Sequence, residues 1–359
     1  MAQKQVTEGV ERHHSGLTSC DIGVVIATFN RRVDALDAVS SVVNQTLPAR
    51  QVVVVDDGST DGTAEAVSHR FPGVLVLQQQ NLGQAAARNA GIAALDTEWV
   101  AFLDDDDLWH PRKLELTQAF LTANPACSAV RTPVWVFSDG APGTGSSPFG
   151  FHRDFTAETL DDLIAQADAS PGAGNDYEYL RIAGASFERM LEVNRGVTSS
   201  TVIKRGLAIK AGGFPVQCRG SDDWFFFLNV ARFAEWELME DRLSFVRVHP
   251  AQATQTAPGI ALGNLGAKVA ALYGGRPISD QAHLYDPTAL AVRYAPWYRT
   301  EVNGSLWSAL ERQQWHDALV LRRLMPLLLP RFRDRLSCYL PPKLYRVLTR
   351  IAAHARLAE

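Results

Sequence analysis

Asp104, Asp105, Asp106 and Asp107 stand in one unbroken row of four carboxylates. They follow Trp99-Val-Ala-Phe-Leu103, a near-continuous apolar run that reads as a buried strand emerging at a sheet edge. Carboxylates this close repel one another, and leaving all of them unpartnered costs several kcal/mol. A divalent cation removes that cost, because hard oxygen ligands suit Mg²⁺ or Mn²⁺. Few carboxylates from one strand end can reach a single ion, so waters and substrate phosphates would complete its shell. The same row also fits a solvated acidic turn ahead of a helix, with Pro111 in the first helical turn. The row alone leaves both readings open.

The elements around it narrow the choice. Ile22 to Ala27 is an apolar, β-rich run ending in Thr28-Phe29-Asn30-Arg31. Val33, Leu36, Val39, Val42 and Val43 then recur at helical spacing. Gln51 to Val55 is a second buried strand ending in Asp56-Asp57-Gly58-Ser59, and Val74 to Leu77 is a third. Asn81-Leu-Gly83 opens a helix of small residues that includes Arg88 and Asn89. Strands alternating with helices give a mostly parallel sheet covered by helices, whose ligands sit beyond the carboxyl ends of the strands. Topology therefore predicts that Asn30, Asp57 and the aspartate row converge. Further on, Val130 to Phe137, Thr198 to Lys204 and Leu243 to Val248 read as strands, and Phe225 to Phe233 as an aromatic helix.

Composition excludes several classes. Hydrophobic residues make up 46% and charged residues 21% of the chain, as in a soluble globular protein. A net charge of -4 argues against general nucleic-acid affinity. Four scattered cysteines without a CxxC pair give neither a zinc site nor a disulfide framework, and fit a reducing cytoplasm. Met1 to Ser19 lacks the apolar core of a signal peptide, and the apolar run Leu324 to Leu329 is far too short to span a membrane.

Taken in order, the motifs resemble those of glycosyltransferase family two, the inverting nucleotide-sugar transferases of the GT-A fold. The resemblance covers residues 20–250. It rests on Val24-Val-Ile-Ala-Thr-Phe-Asn-Arg31, Asp56-Asp-Gly-Ser59, Asn81-Leu-Gly83 with Ala87-Arg-Asn89, and Phe102-Leu-Asp-Asp-Asp-Asp107, followed by Gly212-Gly-Phe214, Asp222-Asp-Trp224 and Arg247-Val-His249. It implies an α/β fold, with a Rossmann-like, mostly parallel central sheet flanked by helices and a C-terminal helical extension. It also implies that Ala27, Thr28, Phe29, Asn30 and Arg31 lie against the nucleotide. Asp57 would accept a hydrogen bond from the base, as a carboxylate can from N3–H of uracil. Asn81, Gly83 and Arg88 would line the nucleotide site, with Asp104 facing the ribose and Asp105 in the variable middle position. Asp106 would hold Mn²⁺ or Mg²⁺ against the diphosphate, with His249 as a further metal or diphosphate group, while Asp107 reads as a helix cap. Asp223 aligns with the general base, although Asp222 stands where the family usually has Glu, so the choice between the two is open. Trp109 and Trp224 could floor a sugar or acceptor site or simply pack in the core.

The expected organisation is a flexible arm over 1–19, a GT-A domain over 20–254 (nucleotide half 20–125, acceptor half 126–254) and a helical region over 255–359. Basic residues gather from Arg322 onward, and Leu340, Leu344, Val347, Leu348 and Ile351 recur at helical spacing among them. That pattern fits peripheral contact with anionic lipid, or an ordinary packed helix with a solvated basic face. The expected partners are a nucleotide-sugar donor, UDP-sugar favoured, and a saccharide or lipid-linked saccharide acceptor, without nucleic acid. The expected location is the cytoplasm or the inner face of the membrane. A nucleotidyltransferase or an inactive nucleotide-sugar-binding module of the same fold are the competing readings. No Gly-rich triphosphate loop supports the first, and intact Asp104, Asp106 and Asp223 speak against the second.

Overall fold

The structure, a computed structural model, describes residues 20–138, 155–156, 159–169, 184–192, 197–216, 221–249, 260–274 and 286–341. The expected arm over 1–19 and the end of the basic region, beyond 341, lie outside the described residues.

The first half alternates as expected: β1 (Cys20–Thr28), α1 (Arg32–Val43), β2 (Ala49–Asp56), α2 (Thr63–Arg70), β3 (Leu75–Gln78), α3 (Gln84–Ala94) and β4 (Trp99–Asp104). Strands β4, β1, β2 and β3 lie side by side and parallel. Their side chains alternate between two cores. Val25, Val53 and Phe102 face α3, whereas Val24, Ile26, Val54 and Leu103 belong to the cluster that includes Val39 of α1. The register Ala27↔Asp104 and Thr28↔Asp56 brings the three polar strand ends to one edge. In α1 the buried face is Ala35, Ala38, Val39 and Val42. Val33, expected on it, is 72% exposed, because small residues pack that helix onto the sheet.

Beyond β4 come β5 (Leu108–Trp109), α4 (Lys113–Ala123), β6 (Ala129–Arg131), β7 (Val134–Ser138), β8 (Phe155–Thr156), α5 (Leu160–Asp168) and α6 (Ser186–Glu192). The single strand expected over Val130–Phe137 is thus two strands, in different sheets. Pro133 has no N–H to continue a ladder, so the chain leaves the main sheet there. A 3₁₀ turn (Thr198–Ser200), β9 (Thr201–Lys204), α7 (Arg205–Lys210), α8 (Asp222–Ala231), β10 (Glu237–Leu238) and β11 (Ser244–Arg247) follow. Strand β9 runs antiparallel between β4 and β6 and completes a seven-stranded sheet of order β10-β6-β9-β4-β1-β2-β3. A second sheet, β5-β11-β7-β8, carries the end of β11 back toward the aspartate row.

Four helices close the described chain: α9 (Ile260–Tyr273), α10 (Pro287–Glu311), α11 (Trp315–Leu328) and α12 (Phe332–Ser337). Pro296 and Pro326 fall inside α10 and α11 rather than interrupting them. Leu265, Tyr298 and Leu321 share one apolar cluster with Phe214, Trp224 and Phe226, so these helices pack into the core that supports α8.

Candidate active site

The four aspartates end up with four different sets of partners. Asp104 accepts from Arg88 Nη2 at 2.5 Å, and its backbone N–H donates to Ser199 Oγ at 3.0 Å. Asp105 is buried, with Arg31 Nε 3.8 Å away, and burial together with the Asp106 charge pushes its carboxyl up to about 7. Asp106 Oδ2 lies 3.1 Å from both Arg31 Nη1 and His249 Nε2. Burial opposes its charge, but His249 and Arg31 together hold its carboxyl below the ordinary value. Asp107 accepts from Ser199 Oγ at 2.5 Å and from Arg247 N–H at 3.0 Å, and burial pushes its carboxyl well up. It ties β11 to the 3₁₀ turn and is not the helix cap expected from its position. The like-charge problem of the sequence is thus met by distributing the row over cations, hydroxyls and backbone N–H groups.

Ser199 is a hub that the sequence reading missed. Its hydroxyl joins Asp104 to Asp107, and its carbonyl accepts from Trp109 Nε1 and from Ser244 Oγ. The run Thr198-Ser-Ser-Thr201 at the entry to a strand was the only signal for it. Gln79 was missed as well.

Just beyond the end of β1, Asn30 holds a positive φ of 52°. It is fixed by Ser59 Oγ accepting from its N–H, and by its own Oδ1 accepting from Thr60 N–H, both at 2.8 Å. Thr28 is buried, while Phe29 and Asn30 face outward. Asp57 is buried and shapes the Asn81–Gly83 turn: its Oδ1 accepts from Gln79 Nε2 (2.7 Å) and Leu82 N–H (2.9 Å), and its Oδ2 from Gly83 N–H (2.8 Å). Capacity on Oδ2 remains for one further donor. Gly83 takes φ 92°, which an L side chain resists, where the turn enters α3.

Arg88 is buried among carboxylates. Its Nη1 donates to Asp222 Oδ2 at 3.0 Å, opposite its bond to Asp104, and its guanidinium lies 5.1 Å from the Phe214 ring centre. Burial disfavours its charge, but Asp104 and Asp222 raise its proton affinity above the ordinary value. Asp222 and Asp223 form the first turn of α8, which begins three residues before the expected Phe225. Asp223 is half-buried and accepts from Trp224 N–H at 2.6 Å. Burial, then the neighbouring Asp222 charge, push its carboxyl up to about 6.

Both tryptophans belong to the core, which corrects the sugar-platform option. Trp109 is fully buried under Ser199. Trp224 is 3% exposed, donates to Met190 O at 2.8 Å and has Lys268 Nζ over its ring. Neither indole presents a face to a ligand.

Asp106 and His249 supply one carboxylate oxygen and one imidazole nitrogen. Among the described residues no group of three or more His, Cys, Asp or Glu side chains is arranged to hold a metal. A divalent ion here would take two protein donors and complete its shell with phosphate oxygens and water, which the carboxylate–imidazole pair fits.

The main sheet and its convergent strand ends are those of the GT-A fold. Residues 23–180 match the family described as Glycosyl transferase family 2. The uncharacterized glycosyltransferase YibD of Escherichia coli K12 is 30% identical over 221 residues, 60% of each protein. The chain spans less than a fifth of the length of the Rickettsia glycosyltransferases it matches. The fold is that of Staphylococcus aureus TarS residues 1–349, solved with UDP-GlcNAc (TM-score 0.60, 14% identity, covering 86% of this chain and 81% of that one). A mannosyltransferase of Pyrobaculum calidifontis, solved with GDP-Man and Mn²⁺, is similar at TM-score 0.50 and 18% identity, over 93% of this chain and 87% of that one.

Proposed function

We propose that the chain is a metal-dependent, inverting glycosyltransferase. In this reading it moves a sugar from a nucleoside-diphosphate donor, a UDP-sugar first, to a hydroxyl of a saccharide or lipid-linked saccharide acceptor. One observation carries the reading: Arg88 joins Asp104, on the donor-side strand end, to Asp222 at the start of α8, so that two carboxylate groups far apart in sequence share one site. Transfer with inversion needs a base on the acceptor side and charge stabilisation on the leaving-group side. Asp223 takes the proton of the acceptor hydroxyl as that oxygen bonds to the anomeric carbon, and the bond from that carbon to the diphosphate breaks on the opposite face. Asp57 receives the base, Asn30 and Asp104 receive the ribose side, and Arg31 offers its donors to phosphate oxygens. Asp106 and His249 would hold Mn²⁺ or Mg²⁺, which when bound neutralises the departing diphosphate. Residues 20–254 carry these groups, and the helices after them buttress α8. The exposed basic and aromatic residues of α11 and α12 suit peripheral contact with anionic lipid near a lipid-linked acceptor.

The transferases of similar fold that were solved with UDP-GlcNAc, or with GDP-Man and Mn²⁺, support the choice of donor class and ion. Incubation with UDP-, GDP- and dTDP-sugars plus Mn²⁺ should release nucleoside diphosphate, fastest from a UDP-sugar, and EDTA should stop it. Full activity in EDTA would sink the metal assignment. Nucleotide binding without release in any mixture would leave a binding module, and pyrophosphate release from a nucleoside triphosphate would mark a nucleotidyltransferase.

A further inference from the structure

Three short motifs that are distant in sequence meet around one guanidinium. Arg88 gives its two terminal nitrogens to Asp104 and Asp222, the latter 134 residues away. Beneath it lies the ring of Phe214. The neighbouring Asn89 grips that residue by its backbone, with Oδ1 accepting from Phe214 N–H at 2.8 Å and Nδ2 donating to Phe214 O at 2.7 Å. Gly213 turns the chain into this grip at φ 67°, and a side chain there would collide with Asn89 Oδ1. Helix α3, which carries both Arg88 and Asn89, is held against β1 where Gly91 meets Val25. The guanidinium therefore has a fixed address, is 4% exposed, and has both ends committed to protein carboxylates.

We infer that Arg88 is a positioning residue rather than a nucleotide ligand: it clamps Asp222 as a fixed anion, which leaves Asp223 as the proton acceptor and ties the base-bearing helix to the donor-side strand end. The inference rests on the transferase reading above and deepens it. Asp222 Oδ2 is already engaged by the buried guanidinium, and breaking that pair would leave a buried charge unpartnered. Asp223, one residue on, accepts from Trp224 N–H and feels the charges of both Asp222 and Arg88. Among the described residues, the charged groups that act on it include Asp222 on its own helix, Arg88 on α3 and Asp104 on β4. From α9, Lys268 lies over the adjoining Trp224 and is paired to Glu301. Glu192 of α6 acts on Lys268 in turn.

The test reads turnover against pH in the full-length chain, together with the affinity for UDP in Mn²⁺ by calorimetry. Asp222→Asn removes an anion beside Asp223, so the acid limb of the turnover profile should move to lower pH, with UDP affinity within about threefold of the original. Arg88→Gln removes a cation, so its limb should move to higher pH while turnover falls. Shifts in opposite directions support the clamp. Limbs that stay in place, or a tenfold or larger loss of UDP affinity in Arg88→Gln with an unmoved limb, overturn it in favour of a nucleotide ligand. Loss of the acid limb in Asp222→Asn overturns it in favour of Asp222 as the base. If Arg88→Gln does not fold, Asp222→Asn decides alone. If the unaltered chain turns over no donor, the transferase reading fails, and NMR titration of the Asp223 carboxyl in the same variants still tests the clamp.

Discussion

At the scale of single residues, Asp223 is suited to proton transfer because its surroundings oppose its charge without replacing its role. A base must be ionised to act, and burial with Asp222 beside it pushes its carboxyl up to about 6. Activity should therefore fall as the pH drops through about 6, and hold above it until another group titrates. Asp223→Asn keeps the shape of the side chain and removes the proton acceptor. Turnover should fall roughly a hundredfold to ten-thousandfold, the usual size of a general-base contribution. Donor affinity should barely change, because the strand-end groups proposed to hold the donor are left untouched. Stopped or steady-state assays of nucleoside diphosphate release would measure the first, and calorimetry the second. Turnover within a few-fold of the original would move the base elsewhere and leave Asp223 as the residue that caps Trp224 N–H.

At the scale of elements, the close approach of α3 to β1 is what brings the Arg88 pair of contacts into register. Gly91 has no space for a side chain, because an added Cβ would strike Val25 Cγ1. Alanine is about 1 kcal/mol better than glycine in a helix interior, whereas overpacking costs roughly 1–3 kcal/mol. Gly91→Ala should therefore lower the midpoint of urea unfolding despite its better propensity. Gly304 in α10 is exposed, and an added Cβ there meets nothing within 4 Å. Gly304→Ala should raise stability by about 1 kcal/mol. If both changes stabilise, helix α3 has room to retreat, and the fixed address of Arg88 is not enforced by packing.

At the scale of the whole molecule, α9, α10 and α11 are joined to α8 by a shared core, with Tyr298 Oη donating to Leu191 O at 3.1 Å and Lys268 paired to Glu301 beside Trp224. No helix among the described residues is long and apolar enough to cross a membrane. Trp315, Leu319, Arg322 and Arg323 share the outward face of α11, and Phe332 and Leu336 stand out from α12. Aromatic and aliphatic side chains beside arginines suit an anionic lipid surface. The intact chain should co-sediment with phosphatidylglycerol vesicles at low salt and be released by high salt. A Trp315→Ser, Phe332→Ser variant should lose most of the bound fraction while its unfolding curve stays close to the original. Equal binding by the variant, or no binding by the intact chain at low salt, would leave these faces as ordinary solvated surface.

The amino-acid sequence by itself determined the alternation of β1 to β4 with α1 to α3. Apolar runs of strand length and small-residue helical repeats are local patterns, and a parallel sheet must place their polar ends on one edge. It also determined the chemistry available there, because Asp57, Asp104, Asp106 and Asp223 carry their functional groups wherever they stand. Only the tertiary structure decided how those groups are partnered. The resemblance alone gave Arg88 no partner in the protein, whereas the fold brings Asp222 to one end of its guanidinium, and no local pattern records a hydrogen bond across 134 residues. Trp109 and Trp224 have the same composition signal as sugar platforms, and burial under Ser199 and Met190 was settled by which faces the sheet and α8 cover. Val130 to Phe137 kept its apolar pattern through Pro133, yet the missing N–H sends its two halves into different sheets. Periodicity is a property of neighbours in the chain, whereas the partner of a buried charge is chosen by neighbours in space, and the two agree only where the fold is local.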